Sequence, residues 1–244
     1  MSVRVLKQYI ELYQLSGSID YFLETSKDKE VCIEANNVYQ TQIVDPFKQL
    51  KIECEQCDKC RYRKDRGGQK VVFGSGHFSS KCFVVGDPVN VDENLSGHPF
   101  GRSNNNKYHD MFNNIIKKGL IEGENLQMTF SDLYLTNITK CRAHKRDNEE
   151  IQKCLFFLLK QIEIIKPMII LVFGEYAANA IFNSSDHINY YRENQGLKFH
   201  NIPVYFTLNP MDIVRLENDK ENYTKMKKIV MNDLKFFAKA YREL

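Results

Sequence analysis

Three of the chain's seven cysteines fall within seven residues, as Cys54, Cys57 and Cys60, and two more, Cys141 and Cys154, stand far downstream with twelve residues between them. Overlapping C-x2-C pairs put thiolates on one small turn, which suits tetrahedral sulfur ligation by iron or zinc. If both groups serve one metal centre, two distant stretches of chain must meet. Both groups have polar flanks, as ligands near a surface do. Spacing alone leaves zinc and an iron–sulfur cluster open. Cys82, inside an apolar run, and Cys32 read as plain core cysteines.

Residues 1–16 carry an amphipathic pattern (Val3, Leu6, Tyr9, Ile10, Tyr13) with charges interleaved, without the continuous apolar stretch of a secretory signal. A reducing interior is therefore expected, where cysteines are thiols or metal ligands and not disulfides. At 244 residues and 43% hydrophobic composition there is material for one sizeable domain plus an extension. The formal net charge of +3 permits a local basic groove without demanding one. No apolar run approaches the roughly 20 residues of a membrane helix, so no membrane partner is expected.

Residues 1–44 read as an N-terminal helical extension and 45–244 as the main domain. Asp45 before Pro46 is positioned to cap a short helix into the first cysteines. Short apolar runs at 81–86, 133–138, 168–173 and 202–208 read as strands. The first and third stop at Gly86 and Gly174, and the fourth at Asn209-Pro210. Helical spacing covers 108–119, ending on Gly119 as a C-terminal stop, then 148–166, 175–182 and 222–241. In the 148–166 helix the apolar positions are Ile151, Leu155, Leu158, Leu159, Ile162 and Ile165. This alternation predicts an α/β three-layer sandwich with a central, mostly parallel four-stranded sheet and helices on both faces. Ligands of such sheets bind at the carboxyl ends of the strands.

Cys57-Asp58-Lys59-Cys60-Arg61, Val71-Val72-Phe73-Gly74-Ser75-Gly76, Val85-Gly86-Asp87-Pro88-Val89-Asn90 and Gly97-His98-Pro99-Phe100 follow one another in the first half. Thr136-Asn137-Ile138-Thr139-Lys140-Cys141-Arg142, Cys154, and Asn209-Pro210 through Arg215 complete the series. In order and content this resembles the family 4 uracil-DNA glycosylases. Their pattern reads C-x2-C-R, V-V-F-G-x-G, V-G-E-G/A-P-G, G-x-P-F, T-N-x-x-K-C-R, a helical cysteine and H-P-x4-R. The resemblance implies a uracil-DNA glycosylase-like fold and a [4Fe–4S] cluster held by Cys57, Cys60, Cys141 and Cys154, with Cys54 a bystander. That cluster is structural, pinning loops that face DNA. From the lack of an export signal, an intracellular protein, cytoplasmic or nucleoid-associated, is expected.

A glycosylase flips a base, holds it and stabilises charge as the N-glycosidic bond breaks. By the resemblance Phe100 stacks on the flipped base, Asn137 reads its edge, and Gly86 lines the base site. Its setting in a Gly/Pro loop predicts that Phe100 is exposed. Asp87 stands where the family has Glu and is expected to position water or stabilise the sugar cation. Asn209 stands where the family has His and is expected to donate to uracil O2. Pro88, Val89 and Asn90 replace the small residues of the family's loop. Lys140, Arg142, Arg215 and the 61–70 run are the expected phosphate contacts.

Three function classes follow, one of them a zinc-bearing nucleic-acid module unrelated to glycosylases. The leading one is a glycosylase removing uracil or a related modified pyrimidine from DNA. Its rival is a DNA-binding accessory protein of replication or repair on the same fold, impaired in catalysis, with residues 1–44 as the docking element for a protein partner.

Overall fold

The computed structural model describes residues 45–61, 70–102, 106–142 and 147–244. The extension expected at 1–44, most of the 61–70 basic run and residues 143–146 lie outside the described residues. The helices are α1 (Pro46–Gln56), α2 (Val91–Ser96), α3 (Lys107–Asn114), α4 (Asn148–Ile165), α5 (Glu175–Phe182), α6 (Ile188–Glu193), α7 (Pro210–Val214) and α8 (Lys220–Tyr241). The strands are β1 (Cys82–Gly86), β2 (Leu133–Asn137), β3 (Ile169–Phe173), β4 (Leu197–Phe199) and β5 (Ile202–Thr207).

The strands form one sheet in the order β2-β1-β3-β5-β4, with β2, β1, β3 and β5 parallel. Every residue of β1 and β3 is buried, as expected of central strands covered on both faces. Helices surround this sheet, consistent with a three-layer sandwich. In register, Gly86 of β1 lies between Asn137 of β2 and Phe173 of β3, so three strands end at one level.

The sheet has a fifth strand that the periodicity does not reveal. Leu197–Phe199 is too short to show alternation. It pairs antiparallel with β5 through a two-residue turn in which His200 and Asn201 both take positive φ, 47° and 66°. That conformation matches a tight hairpin of the I′ kind, and Asn tolerates it.

Two helices also differ from the sequence reading. The helix begun by α3 does not stop at Gly119. It widens into a π-helical stretch, Ile115–Ile121, and Gly119 lies inside it because Leu234 of α8 occupies the space a side chain would need. In α4 the buried residues are Glu150, Ile151, Cys154, Phe157, Leu158, Gln161, Ile162 and Ile165, whereas Leu159 is exposed. The helix is rotated from the purely apolar solution so that a thiol, an amide and, in its first turn, a carboxylate are buried. It starts on Asp147, whose side chain accepts from Glu149 N, and ends on Lys166 in the left-handed region before Pro167.

Candidate active site

The residues after the strands converge. Gly86 ends β1, and its carbonyl accepts from Ile138 N at 3.0 Å. A Cβ here would lie 3.0 Å from Asn137 Nδ2 and 3.0 Å from the Phe100 ring. Only glycine lets those two groups approach the strand end so closely.

Asp87 follows, buried and doubly held. Its Oδ1 accepts from Ala177 N (2.9 Å) in the first turn of α5, and its Oδ2 accepts from Asn209 Nδ2 (3.0 Å). A carboxylate at a helix N-terminus is favoured by the exposed amides and the helix dipole. Gly174, with φ +103°, makes room: a Cβ there would lie 2.3 Å from the carboxylate. Asn209 is the N-cap of α7, its Oδ1 accepting from Met211 N at 2.9 Å. The two residues assigned to catalysis from sequence are thus hydrogen-bonded to each other, and each also has the local capping role its residue type suggests.

Asn137 lies at the centre. Its Nδ2 donates to Asp87 O and to Glu93 Oε1, both at 2.9 Å. Its Oδ1 is buried with no hydrogen-bond partner, as is Asn94 Oδ1. Buried polar atoms are normally paired, so an orphan at a strand end asks for a ligand.

Glu93 is the residue the sequence reading missed. It is 1% exposed, and it accepts from Asn90 N (2.8 Å), Phe100 N (2.7 Å), Tyr108 Oη (3.2 Å) and Asn137 Nδ2. Burial raises its pKa while those hydrogen bonds pull it back. The available signal was N-x-x-E, Asn90 to Glu93, which is the capping box that starts α2. That motif announces a helix start. It does not say that the carboxylate also reaches a β-strand end.

The same box explains the departures at Pro88-Val89-Asn90. Asn90 caps α2, and Val89 is buried with its N–H donating to Thr139 Oγ1 at 3.0 Å. The substituted loop packs as a turn into a helix.

Two expectations are corrected. Phe100 is fully buried, not exposed: its ring stacks on Phe112 at 4.0 Å and meets Phe173 edge-on at 5.6 Å. A backbone φ of +58° turns its N–H toward Glu93 and its side chain inward. Lys140 is also fully buried and cannot reach a phosphate. Its Nζ donates to Asn137 O (2.9 Å), Thr136 Oγ1 (2.5 Å) and Gln161 Oε1 (2.7 Å), and burial lowers its pKa to about 8. The long apolar stem and three acceptors make a basic side chain a core residue here. Arg142 is half-buried, and Arg215 is exposed, 3.2 Å from Asp212.

The cysteines gather on the other side of the same segment. Cys60 and Cys141 pack together with Val71, and Cys154 Sγ accepts from Lys140 N at 3.2 Å. Cys154 lies within electrostatic reach of Cys141 and Cys60, and Cys54 within reach of Cys154, Cys141 and Cys57. Cys82 is fully buried in β1, apart from this group, as a core cysteine. Among the described residues, no group of three or more His, Cys, Asp or Glu converges tightly enough to hold a single metal ion. Five soft sulfur donors from two distant stretches of chain thus share one neighbourhood.

No helix among the described residues is long and apolar enough to cross a membrane. The family model described as the uracil DNA glycosylase superfamily matches residues 73–235. Similar curated proteins include type-4 uracil-DNA glycosylases of three organisms. That of Archaeoglobus fulgidus is 34% identical over 137 residues (55% of this chain, 62% of the relative). That of Saccharolobus solfataricus is 29% identical over 133 residues (53% and 56%), and that of Thermotoga maritima 30% over 127 residues (50% and 59%). The matched region spans less than two thirds of each of these relatives.

Proposed function

The chain belongs to the uracil DNA glycosylase superfamily, and from that premise we propose that it removes uracil, or a related pyrimidine, from DNA by hydrolysis of the N-glycosidic bond. The observation that carries this reading is the buried, unpaired Oδ1 of Asn137, at a strand end beside Gly86, Asp87 and Phe100. The ring N–H of a flipped uracil satisfies that atom. The Asp87 carboxylate, held on both oxygens, stabilises positive charge on the sugar as the bond breaks. Asn209 has one amide hydrogen beyond the one given to Asp87, and that hydrogen serves uracil O2 as negative charge develops. Phe100, which is stacked against Phe112, stacks on the base once the DNA-bound state opens the aromatic pair. Arg142 and Arg215 contact phosphates.

The thiols of Cys57, Cys60, Cys141 and Cys154 fit an iron–sulfur cluster of the [4Fe–4S] kind, with Cys54 beside them. The support is the donor chemistry: four soft sulfur donors from two distant segments. When bound, the cluster supplies a structural cross-link between segments 57–60 and 141–154, and takes no part in bond cleavage.

The test is release of free uracil from single- and double-stranded oligonucleotides. The full engagement of Asp87 and the burial of Phe100 against Phe112 favour the second reading, a DNA-binding accessory protein without catalysis. Salt-sensitive DNA binding without base release, from iron-replete protein, would decide for that reading.

A further inference from the structure

We infer that the half of α8 standing beyond the sheet, with Lys220, Lys225, Lys227 and Lys228, is an interaction surface for the sugar–phosphate backbone of DNA flanking the nucleotide held at the strand ends. The inference rests on the reading of DNA as substrate and adds to it where the rest of the strand runs.

α8 runs antiparallel to β5, and two contacts set its level. Thr207 Oγ1, at the carboxyl end of β5, donates to Asp233 Oδ2 at 2.9 Å, and further back along the strand Tyr205 meets Phe237 edge-on at 6.0 Å. Arg192 of α6 grips the same carboxylate on both oxygens, at 2.7 and 3.0 Å. The sheet register places Thr207 level with Phe173, and so with Gly86 and Asn137. Asp233 therefore marks the level of the candidate site on α8. Residues 220–232 precede it in the helix, and at about 1.5 Å per residue they carry about 20 Å of helix beyond the strand ends. Lys107, at the start of α3, pairs with Glu217 just ahead of α8, on the side where His109 and Phe112 meet Phe100.

This overhang is basic and not neutralised. All six lysines of α8 are exposed, and among the described residues none of them takes part in an ion pair, whereas Lys51, Lys107, Lys117, Lys153 and Lys160 each do. Residues 220–232 hold four lysines against one acid, Glu221. Lys225 and Lys228 stand one turn apart, a like-charge spacing that disfavours the helix and that an anion relieves. Two shallow grooves on this face share Thr224, Lys228 and Asn232. Those residues offer an ammonium and neutral donors, a set that holds phosphate oxygens without reading bases. A lipid surface fits less well. A helix lying on a membrane needs an exposed apolar face, yet residues 220–232 carry no exposed large hydrophobic, and α8 buries Val230, Leu234 and Phe237 in the fold.

The experiment measures DNA binding by fluorescence anisotropy over a salt series, with the full chain and single-stranded oligonucleotides of about 5 and about 20 nucleotides. Each carries one central uracil nucleotide with a 2′-fluorine, which disfavours the sugar cation and keeps the bond intact. Two double variants remove the same charge from the same helix: Lys225→Gln with Lys228→Gln beyond Asp233, and Lys235→Gln with Lys239→Gln alongside the sheet. All four positions are exposed and glutamine keeps the helix propensity, so both proteins should fold. Wild type should bind the longer strand more tightly and with the steeper salt slope. In the first variant that slope should fall by about 1.4, for two lost phosphate contacts, and affinity at about 0.1 M salt by roughly 10- to 30-fold. Its affinity for the short strand should fall by less than about threefold, and the second variant should stay within about twofold of wild type on both lengths. Equal losses from the two variants would mean a general effect of charge, and no loss from the first would mean solvated lysines; either result overturns the inference. Tighter binding to vesicles of equimolar phosphatidylserine and phosphatidylcholine than to the longer strand, lost in the first variant, would give the face to a membrane and overturn it too. Base excision stands through each of those results if wild type releases uracil. Binding as expected from a wild-type protein that releases no uracil would remove the base-excision reading and leave this surface in place.

Discussion

The segment from Asn137 to Cys141 belongs to two neighbourhoods that are held in different ways. On one side the strand-end site is fixed by hydrogen bonds that the protein makes to itself. Asp87 is tied to α5 and Asn209, Asn137 to Asp87 and Glu93, and Glu93 to α2, Phe100 and Tyr108. On the other side, sulfurs from distant segments are gathered into one neighbourhood, where Cys154 Sγ accepts from Lys140 N. The difference separates two ways of building a site. Preorganised amides and carboxylates need only the fold and a ligand, whereas a set of thiols is completed by what it ligates. Lys140 joins the two: its Nζ braces Asn137 O and its N–H faces Cys154.

The largest effect should come from the sulfur side. Cys154→Ser is expected to drop iron from about four per chain to near zero, with loss of absorbance at about 400 nm and a lower midpoint of thermal unfolding. Cys54→Ser should leave iron content unchanged. Measured together by metal analysis, the pair breaks the proposed ligand set if Cys54→Ser loses iron and Cys154→Ser keeps it.

On the strand-end side, Asn137→Ala should reduce uracil release by about 10²–10³-fold, the scale of one preorganised polar group in a buried site. Affinity for undamaged single-stranded DNA should stay within a few-fold. Single-turnover kinetics check the first expectation and anisotropy the second. Full activity in a folded Asn137→Ala protein would mean that the orphaned oxygen reads nothing.

How much of this was legible beforehand divides along the same line. Apolar runs stopped by Gly86, Gly174 and Asn209 gave the strand ends, and hence the place where side chains converge, because glycine and N-caps are punctuation that sequence carries openly. The cysteine spacing was equally open. What sequence does not carry is the third dimension of a polar residue. Lys140 reads as a phosphate contact until Thr136, Asn137 and Gln161 are found around its ammonium. Glu93 reads as a cap until its second oxygen is found on Phe100 and Asn137. Phe100 reads as a loop aromatic until its positive φ turns it onto Phe112. Long-range partners, not local propensity, decided each case.

A pH series sharpens the comparison at smaller amplitude. Burial raises the pKa of Glu93. A raised carboxyl is protonated in the folded protein before it is in the unfolded chain, so its ionisation works against stability as pH rises through the folded value. The acceptor role needs the ionised form. As pH falls through that raised value, Glu93 gains a hydroxyl that can donate, its hold on Asn137 and Phe100 loosens, and uracil release should fall severalfold. Tyr108, Asp87 and Asp92 lie in the same electrostatic neighbourhood. Glu93→Gln is therefore the control: its rate of release should stay flat through that range. A wild-type rate equally flat down to the ordinary carboxylate range would detach Glu93 from the site.

The smallest effect is expected at the surface and separates two basic residues that the sequence could not tell apart. Arg215 is exposed, and its pairing with Asp212 at 3.2 Å is of a kind that contributes little at the surface. As a phosphate contact it should supply one released counterion. Arg215→Ala should then weaken single-stranded DNA binding a few-fold and lower the slope of log K against log salt by about 0.7, with no change in thermal stability. Lys140→Met should do the reverse: the salt slope is unchanged, because a buried ammonium contacts no phosphate. Stability should fall, because Thr136, Asn137 O and Gln161 lose a shared donor in the core. Salt titrations and melting curves of the two variants, side by side, test whether burial or charge governs each residue. A reduced slope for Lys140→Met would bring its ammonium back to the surface and undo the division between the two neighbourhoods.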